Sequence, residues 1–587
     1  MHFRVVFLAV FLGPAAADYL QDTHSVHEKR EKKFGLGWSK VETKPNPGTI
    51  IPLQIALQQN GLDVAEHELL RVSDPSSPEF SQHWTRAKVD ARFSPTRERI
   101  HTVQTWLGEV GIGEQHIRRS ADGGWLFLNT TLRVAEKLLK TTFGVYLDPK
   151  SNEEHLACDE YSLPDSVRPH VDFVMPTVHL GMGTRIRQRW NQPDHSDDRL
   201  VGARGDFSPR SLHKRSNTTF TLDNCHRYIT PDCLRELYNI PSTSAIHPNN
   251  SFGIFQVSWA SWLPKDLDLF FGIFSPKSVG FRPIMKSIKG GYWQDELQGT
   301  YVNAEADLDF EYSMALTYPQ PVINYQVGEK WQTGTLNGLI AAFDGSYCDA
   351  WNSSIDGVYP SPSDDGYQKA HDCGTVRPAN VVSISYAWNE VSFPKAYLRR
   401  QCLEFLKLGL QGVSVISASA DCGPAGTGCS CLDPSTGQAL GPLSTYGNFN
   451  PVVPASCPYV TSVGGTQIRA NGSVYDSEVV FRHSSATHIS SSGGGFSNLF
   501  DAPEYQKDAI DHYLQRPDIN ERLQNLTGKF NPLGRGVPDV SSNAANFVAA
   551  INGQLMTVFG TSASAPVFAS ILTNINDARL HVGKKPT

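Results

Sequence analysis

The sequence predicts an α/β protein with a mostly parallel sheet and helices on both faces, preceded by a small α+β domain. In the second part of the chain, apolar strand-like runs at 381–386 and 413–416 enclose a helical segment at 397–410. Strands that alternate with helices in this way indicate βαβ units and therefore a parallel sheet. In such sheets, functional residues collect at the carboxyl ends of the strands.

The smaller domain is predicted from residues 18–183. Residues 124–128 are strand-like, and residues 132–139 have helical apolar spacing. The following segment, 184–215, is rich in Arg, Asp, Pro and Ser, has no apolar periodicity and ends in Lys214-Arg215. We interpret it as an exposed linker with a processing site, after which residues 216–587 form the larger domain.

The first 17 residues have the pattern of a secretory signal peptide. Arg4 precedes an apolar run at 5–12, and Ala15, Ala16 and Ala17 follow. The run is much shorter than the roughly 20 residues that a membrane-spanning helix needs. The sequence therefore predicts a secreted, extracellular protein without a membrane anchor.

Charge and composition exclude some partners. The 587 residues carry a formal net charge of −7, so no general electrostatic attraction draws the protein to nucleic acid or anionic lipid. We expect no nucleic-acid partner. Six Asn-X-Ser/Thr sequons predict a glycoprotein, and they begin at Asn129, Asn217, Asn249, Asn352, Asn471 and Asn525.

Ten cysteines in a secreted chain are expected to form mainly disulfides. Cys225 and Cys233 are placed for a local bridge. Cys422, Cys429 and Cys431 lie in a loop rich in Gly, Ser and Pro, with no His at ligand spacing. For this cluster the sequence favours disulfides over zinc.

A serine near the end of the chain follows a predicted hairpin. Strands at 547–551 and 555–559 flank an Asn552-Gly553 turn, and Gly-Thr-Ser-Ala-Ser-Ala-Pro occupies 560–566. Helical apolar spacing comes next, so Ser562 is expected near the N-terminus of a helix. Backbone N–H groups and the helix dipole favour an oxyanion there, although a serine that merely caps the helix would fit equally well.

Two carboxylates are expected on the buried face of a helix at 301–316. At helical spacing, Glu305 and Asp309 share a face with Val302, Leu308, Tyr312 and Leu316. Asp307 and Glu311 point the other way and are interpreted as solvated charges. Because like charges four residues apart repel each other, Glu305 and Asp309 are expected to share a proton, and such a pair can act as a general base.

A third carboxylate follows a predicted strand. Asp421 comes directly after residues 413–420, which places it at the functional edge of a parallel sheet. The Cys422-Gly423 sequence behind it is equally typical of a simple turn. Local pattern alone does not distinguish these two interpretations.

Together these segments resemble the sedolisin, or serine-carboxyl peptidase, family. The family's Glu-x-x-Leu-Asp helix, its Ser-x-Asp-x-Gly-like loop and its Gly-Thr-Ser-x-Ser-x-Pro string occur here in order, at 305–309, 419–423 and 560–566. The resemblance implies a subtilisin-like version of the predicted fold and peptidase activity in acid on proteins or peptides. It also implies four roles, namely Ser562 as nucleophile, Glu305 as base, Asp309 as the partner that orients Glu305, and Asp421 as a protonated donor to the oxyanion.

The resemblance extends to other segments. Residues 74–80 and their surroundings look like the family's activation prodomain, which implies an intramolecular inhibitor and chaperone. Residues 225–240 are similar to the start of mature fungal tripeptidyl peptidases, and 492–497 looks like a Gly-rich stretch along the substrate cleft. We expect a monomer that releases tripeptides from protein N-termini.

The family resemblance also implies calcium, bound by an Asp- and Gly-rich segment near the C-terminus. Here Thr587 comes soon after the helix of Ser562, so we expect this segment, and with it the C-terminal part of the peptidase domain, to be missing. Nine of the ten cysteines follow Arg215, and this odd number is consistent with a partner in such a tail.

Three alternatives stay open on the sequence. The chain could be an endopeptidase of the same family, or a truncated and inactive secreted homologue that only binds. A subtilisin-like enzyme of the Ser-His-Asp type is the third, but the chain contains no His-Gly dipeptide of the kind found in that family's histidine motif.

Overall fold

The structure is a computed structural model. It describes residues 23–30, 38–120, 122–148, 153–178, 180, 210–211, 219–242, 245–347, 356–370, 372–441, 444, 446–484 and 489–587. The predicted signal peptide and the Lys214-Arg215 site lie outside the described residues, as does most of the predicted linker. No helix in the described ranges combines the length and apolar character needed to cross a membrane.

Among its described residues, the N-terminal domain contains four α-helices and nine short strands. Its helices are α1 (Leu62–Ser73), α2 (Arg86–Phe93), α3 (Arg97–Glu109) and α4 (Leu132–Leu139). Its strands are β1 (His24–Lys29), β2 (Ser39–Lys40), β3 (Ile50–Leu57), β4 (Arg118–Arg119), β5 (Trp125–Thr131), β6 (Gly144–Asp148), β7 (Glu153–Ala157), β8 (Glu160–Pro164) and β9 (Val171–Met175). The predicted α+β architecture is confirmed.

Helix α4 shows why local sequence predicts this domain well. The side chain of Thr131 accepts a hydrogen bond from the Val134 N–H and caps the helix. Leu132, Ala135, Leu138 and Leu139 then form one buried face. A capping residue and an apolar stripe are both visible in the sequence, and the observed helix matches the predicted 132–139.

The second part of the chain contains the larger sheet and eight helices among its described residues. The helices are α5 (Pro231–Leu237), α6 (Pro264–Phe274), α7 (Thr300–Thr317), α8 (Leu336–Phe343), α9 (Lys395–Leu410), α10 (Glu504–Gln515), α11 (Pro517–Gln524) and α12 (Thr561–His581). The strands are β10 (Arg210–Ser211), β11 (Phe252–Val257), β12 (Ile284–Ile288), β13 (Val322–Val327), β14 (Val381–Ile384), β15 (Trp388–Asn389), β16 (Ser414–Ala418), β17 (Val452–Val453), β18 (Thr461–Gln467), β19 (Val479–Val480), β20 (Arg482–Ser484), β21 (Ile489–Ser491), β22 (Gly495–Asp501), β23 (Gly534–Val537), β24 (Val540–Asn543), β25 (Phe547–Ile551) and β26 (Gln554–Val558).

The main sheet is eight-stranded and mostly parallel, as predicted. Its order is β12-β13-β11-β14-β16-β18-β19, and β24 also pairs with β18. Only β18 and β19 pair antiparallel. Every other pair is parallel, for example Phe252 beside Val322 and Val381.

Helices cover both faces of this sheet. Phe252, Ile254 and Ile416 pack on one face in a core that includes residues of α7 and α12. Phe255 and Val415 point to the other face, where they pack with residues of α8 and α9. Adjacent strand residues thus belong to different cores, which explains why the strands read as continuous apolar runs.

The N-terminal domain packs on the α8/α9 side of the sheet. Arg400 of α9 is buried, pairs with Asp172 at 3.0 Å and donates a hydrogen bond to the Leu57 carbonyl at 3.2 Å. The Trp84 N–H donates to the Leu410 carbonyl at 2.7 Å. Separation of the two domains would therefore break this buried ion pair and expose Arg400 to solvent.

Disulfides form where the cysteine pattern predicts them. Cys225 pairs with Cys233, and Cys422 pairs with Cys429, so the cluster after Asp421 contains a disulfide as expected. A further bridge joins Cys402 of α9 to Cys457. Cys431 is buried as a free thiol.

Candidate active site

Helix α7 crosses the interior and is buried on nearly all sides. It packs against α12, α6, α5, β13 and β25. Asp309 is fully buried, and Glu305, one turn earlier, is half-buried. The sequence was wrong about the opposite face, because Asp307 and Glu311 are fully buried too instead of solvated.

The physical reason for this error is a missing polar stripe. Phe310, Ala306 and Ser313 accompany Asp307 and Glu311, so α7 has no exposed face to define by periodicity. Asp307 accepts a hydrogen bond from the Leu263 N–H at 2.8 Å, and Glu311 accepts from the Ala550 N–H at 3.1 Å. These two carboxyls hold neighbouring backbone segments.

Both oxygens of Asp309 receive a hydrogen bond. Ser385 Oγ donates to Oδ1 at 3.0 Å, and Gln256 Nε2 donates to Oδ2 at 2.7 Å. Gln256 is the last residue but one of β11, and Ser385 directly follows β14. Asp309 is therefore fixed at the edge of the sheet where the parallel strands end.

Ser562 is the second residue of α12, where the sequence predicted it. Gly560 precedes the helix with φ of 137°, a conformation that favours glycine. The side chain of Ser562 is buried, and its Oγ donates to the Ser385 carbonyl at 3.3 Å. Ser385 thus contacts both Asp309 and Ser562.

Asp421 contacts the turn that leads into α12. Its Oδ1 accepts hydrogen bonds from the Thr561 N–H at 2.6 Å and from Thr561 Oγ1 at 3.0 Å. Its Oδ2 is buried without a hydrogen-bond partner. A Cβ added at Gly560 would lie 3.1 Å from that oxygen, so the residue before Thr561 must stay small.

The Gly-rich stretch supports the Asp421 loop. The Gly493 N–H donates to the Ala420 carbonyl at 2.6 Å, and the Ser491 N–H donates to the Asp421 carbonyl at 2.7 Å. A Cβ at Gly493 would lie 1.7 Å from the Ser419 carbonyl oxygen. Ala420 itself has φ of 75°, a costly conformation for alanine, directly before Asp421.

Burial sets the protonation of the three carboxyls. It raises the pKa of Glu305, and the neighbouring Asp309 raises it further, while the hydroxyls of Ser562 and Ser385 act in the opposite direction. Burial also raises the pKa of Asp309 against the hydrogen bonds from Ser385 and Gln256. Burial raises the pKa of Asp421 to about 6, although both Thr561 donors lower it.

The structure thus brings together all four residues singled out by the sequence. Ser562 belongs to the turn at 560–562, and Asp421 contacts the same turn through Thr561. Glu305 lies beside Asp309 and Ser562. Sequence reasoning missed Ser385 and Gln256, the two donors to Asp309. The available signal was the presence of polar side chains at or just after the ends of apolar strands, but that pattern does not reveal which carboxylate they contact.

The described residues were also compared with what the implied calcium ion would need. Among the residues that the structure describes, no three His, Cys, Asp or Glu side chains are grouped so that they could hold a metal ion. The described residues therefore do not fit a calcium site.

Comparison with known proteins gives consistent matches. The model of the pro-kumamolisin activation domain matches residues 37–180. Tripeptidyl-peptidase SED1 of Arthroderma otae is 43% identical over a 612-residue alignment that covers 99% of this chain and 90% of the relative. Aorsin of Aspergillus oryzae is 38% identical over 590 residues, which cover 96% of this chain and 87% of aorsin.

Among solved structures, Pseudomonas sedolisin in complex with two molecules of pseudo-iodotyrostatin matches 61% of this chain and 83% of its own. The TM-score is 0.41 at 20% sequence identity.

These matches make the protein a peptidase with an activation domain at its N-terminal end. The chain belongs to the sedolisin, or serine-carboxyl peptidase, family.

Proposed function

We propose that this chain is the precursor of a secreted peptidase that works in acid and releases tripeptides from protein N-termini. The observation that carries the chemistry is the convergence of Ser562, the Glu305–Asp309 pair and Asp421 on one helix N-terminus. The tripeptide specificity rests on the names of the relatives, which include tripeptidyl-peptidases from Arthroderma otae and Aspergillus fumigatus. Secretion rests on the signal-peptide pattern of residues 1–17.

In the proposed mechanism, Ser562 Oγ attacks the carbonyl carbon of the scissile peptide bond. The serine proton passes to Glu305, whose carboxyl shares a second proton with Asp309. Glu305 can then return a proton to the leaving amine, which produces an acyl-enzyme. A water molecule then attacks the acyl carbon while Glu305 accepts its proton. Glu305 returns a proton to Ser562 Oγ, the ester bond breaks, and the N-terminal fragment is released.

Asp421 is the proposed donor to the oxyanion. Its Oδ1 accepts from the two Thr561 donors, so the proton of the neutral acid resides on Oδ2, the oxygen without a partner. An O–H at this place, next to Gly560 and Ser562, can donate to the negative oxygen of the tetrahedral intermediate. The group works only while it is protonated, and this requires acid.

We also propose that residues 18–183 are an activation prodomain that is removed during maturation. The match to an activation domain and the packing of this domain on α9 support an intramolecular inhibitor and chaperone. We expect the mature peptidase domain to begin at residue 216 and to be a monomer.

Variants of two serines in the same helix test the proposal. Ser562→Ala and, separately, Glu305→Gln should abolish peptide hydrolysis at acidic pH. Ser570→Ala is the matched control, because Ser570 is buried in α12 and donates only to the Pro566 carbonyl at 2.7 Å. It should retain activity within a few fold of the wild type, about 1 kcal/mol or less in activation free energy.

Full activity of folded Ser562→Ala would overturn the assignment of the nucleophile. Products analysed by mass spectrometry distinguish the specificities, since cleavage confined to the third bond from a free N-terminus supports a tripeptidyl peptidase. Internal cleavage would instead identify an endopeptidase with the same chemistry.

A further inference from the structure

A chain of two hydrogen bonds links Tyr386 through Gln256 to Asp309 of the proposed catalytic pair. Tyr386 donates from its hydroxyl to Gln256 Oε1 at 2.6 Å, and Gln256 Nε2 donates to Asp309 Oδ2 at 2.7 Å. Gln256, Asp309 and Tyr386 are each at least 99% buried. Water therefore has little access to these contacts, so each hydrogen bond acts in a medium of low polarity.

Tyr386 fixes which end of the Gln256 amide faces Asp309. Burial raises the pKa of the Tyr386 hydroxyl well above its usual value, and the charges of Glu305 and Asp309 raise it further, so the hydroxyl keeps its proton. An amide oxygen only accepts and an amide nitrogen only donates. Because Oε1 accepts from Tyr386, Nε2 is held toward the carboxylate.

We propose that Gln256 is a positioning residue that sets the pH range in which the Glu305–Asp309 pair holds a single proton. The amide N–H stabilises the ionised form of Asp309, because a hydrogen bond to a charged acceptor is stronger than one to a neutral acceptor. The inference rests on the proposed function, in which the singly protonated pair is the working state. Glu305 and Asp309 titrate together, so loss of the donor moves both protonation steps of the pair upward.

Asp309 accepts hydrogen bonds from two neutral donors, Gln256 and Ser385. Ser385 and Tyr386 face the pair from the segment after β14, Gln256 faces it from β11, and Asp421 and Ser562 face it from the loop after β16 and from α12. Asp307 and Glu311 belong to the opposite face of α7. Asp421 raises the pKa of Glu305, so it opposes ionisation and does not duplicate the effect of Gln256.

Gln326 provides a matched control on the neighbouring strand. It is the register partner of Gln256 and is 1% exposed. Its Nε2 donates to the carbonyls of Val257 at 2.8 Å and Ala260 at 3.0 Å. Replacing it removes the same buried amide without removing a donor to a carboxylate.

The test compares Gln256→Met, Gln326→Met and the wild-type full chain after incubation in acid. The measurement is kcat/KM for one peptide substrate from strongly acidic to neutral pH. For Gln256→Met we expect the acid limb of the profile, where the pair loses its first proton, to move upward by about one pH unit, the size expected for one charge-assisted hydrogen bond. The alkaline limb should stay where the ionisation of Asp421 sets it. For Gln326→Met we expect the wild-type limbs, whatever its effect on the maximal rate.

Superposition of the Gln256→Met and Gln326→Met profiles would overturn the inference and leave the proposed function intact. An inactive wild-type chain at every pH would overturn both. Tyr386→Phe covers the case in which Gln256→Met does not fold, because it keeps the amide and only frees its orientation. It should shift the acid limb in the same direction by a smaller amount, and an unchanged profile would contradict the inference.

Discussion

The two carboxyl oxygens of Asp421 have different surroundings, and this difference gives the residue its proposed role. Oδ1 is held by Thr561, whereas Oδ2 has no partner. The raised pKa of about 6 means that the acid is protonated at low pH and ionises as the pH rises through that value. A catalytic donor of this kind is lost on the alkaline side.

We predict that Asp421→Ala and Asp421→Asn differ in activity. The alanine variant should lose about 10²–10³-fold in kcat, as expected for removal of one oxyanion donor. The asparagine side chain can accept from Thr561 through its oxygen and donate through its nitrogen at any pH. The kcat of the asparagine variant should therefore be about tenfold or more higher than that of the alanine variant, and steady-state kinetics in acid measure this difference.

In the asparagine variant, the decline of activity near pH 6 that comes from Asp421 should also disappear. Equal activity of the two variants, both shown to be folded by circular dichroism, would contradict the donor role. A general loss of packing around Thr561 would lower both rates together.

Individual site residues could be predicted only where they belong to a motif. Ser562, Glu305, Asp309 and Asp421 were predicted because their segments resemble family motifs and because of helical phase or position after a strand. Gln256 is one polar residue in an apolar strand, and its contact with Asp309 spans 53 positions of the chain. No local pattern identifies such a long-range partner.

Helix α7 contains two further carboxyls, Asp307 and Glu311, away from the Glu305–Asp309 pair. Asp266 of α6 faces Asp307, and it accepts hydrogen bonds from the N–H groups of Asn552 at 2.6 Å and Gly553 at 2.7 Å. Burial raises the pKa of Asp266, Asp307 and Glu311. These groups hold the β25–β26 hairpin that leads to Ser562.

We predict that Asp307→Asn makes the folded protein less sensitive to neutral pH. A raised folded-state pKa stabilises the protein below the unfolded value of about 3.9, and this contribution is lost as the pH rises toward the folded-state value. The asparagine variant cannot ionise, so its melting temperature should fall less between acid and neutral pH. Calorimetry of the full chain in a Ser562→Ala background measures this without autolysis.

Asp508→Asn is the control for this experiment. Asp508 is exposed on α10, so its replacement should leave the pH dependence of the melting temperature unchanged. If Asp307→Asn gives the same slope as the wild type, the proton on this cluster does not contribute to stability.

The positions of these elements along the chain were predicted well. The hairpin at 547–559 formed around its Asn-Gly turn as expected, and α9 was missed by only two residues at its start. Helix α7 was located correctly, but its polar face was not. A helix enclosed on all sides has no solvent-facing stripe, so its buried carboxyls look like surface charges in the sequence.

For the whole chain, we predict that maturation produces a new N-terminus near Ser216. The dibasic pair at 214–215 precedes the larger domain, and the N-terminal domain packs on α9 through Arg400. N-terminal sequencing of secreted, active protein checks this. An active form that begins near Asp18 would contradict removal of the prodomain.

The central claim is that carboxyl groups, rather than a histidine, act as the base and as the oxyanion donor in the proposed catalysis. Its most direct test is the pH profile of kcat/KM for a peptide substrate, with unfolding followed in parallel by fluorescence. Asp421 is protonated below about pH 6, and burial keeps one proton on the Glu305–Asp309 pair, so activity should be maximal in acid and fall as the pH rises toward neutrality. A folded enzyme whose activity stays on a plateau through neutral pH, or climbs toward it as a histidine base loses its proton, would contradict the claim.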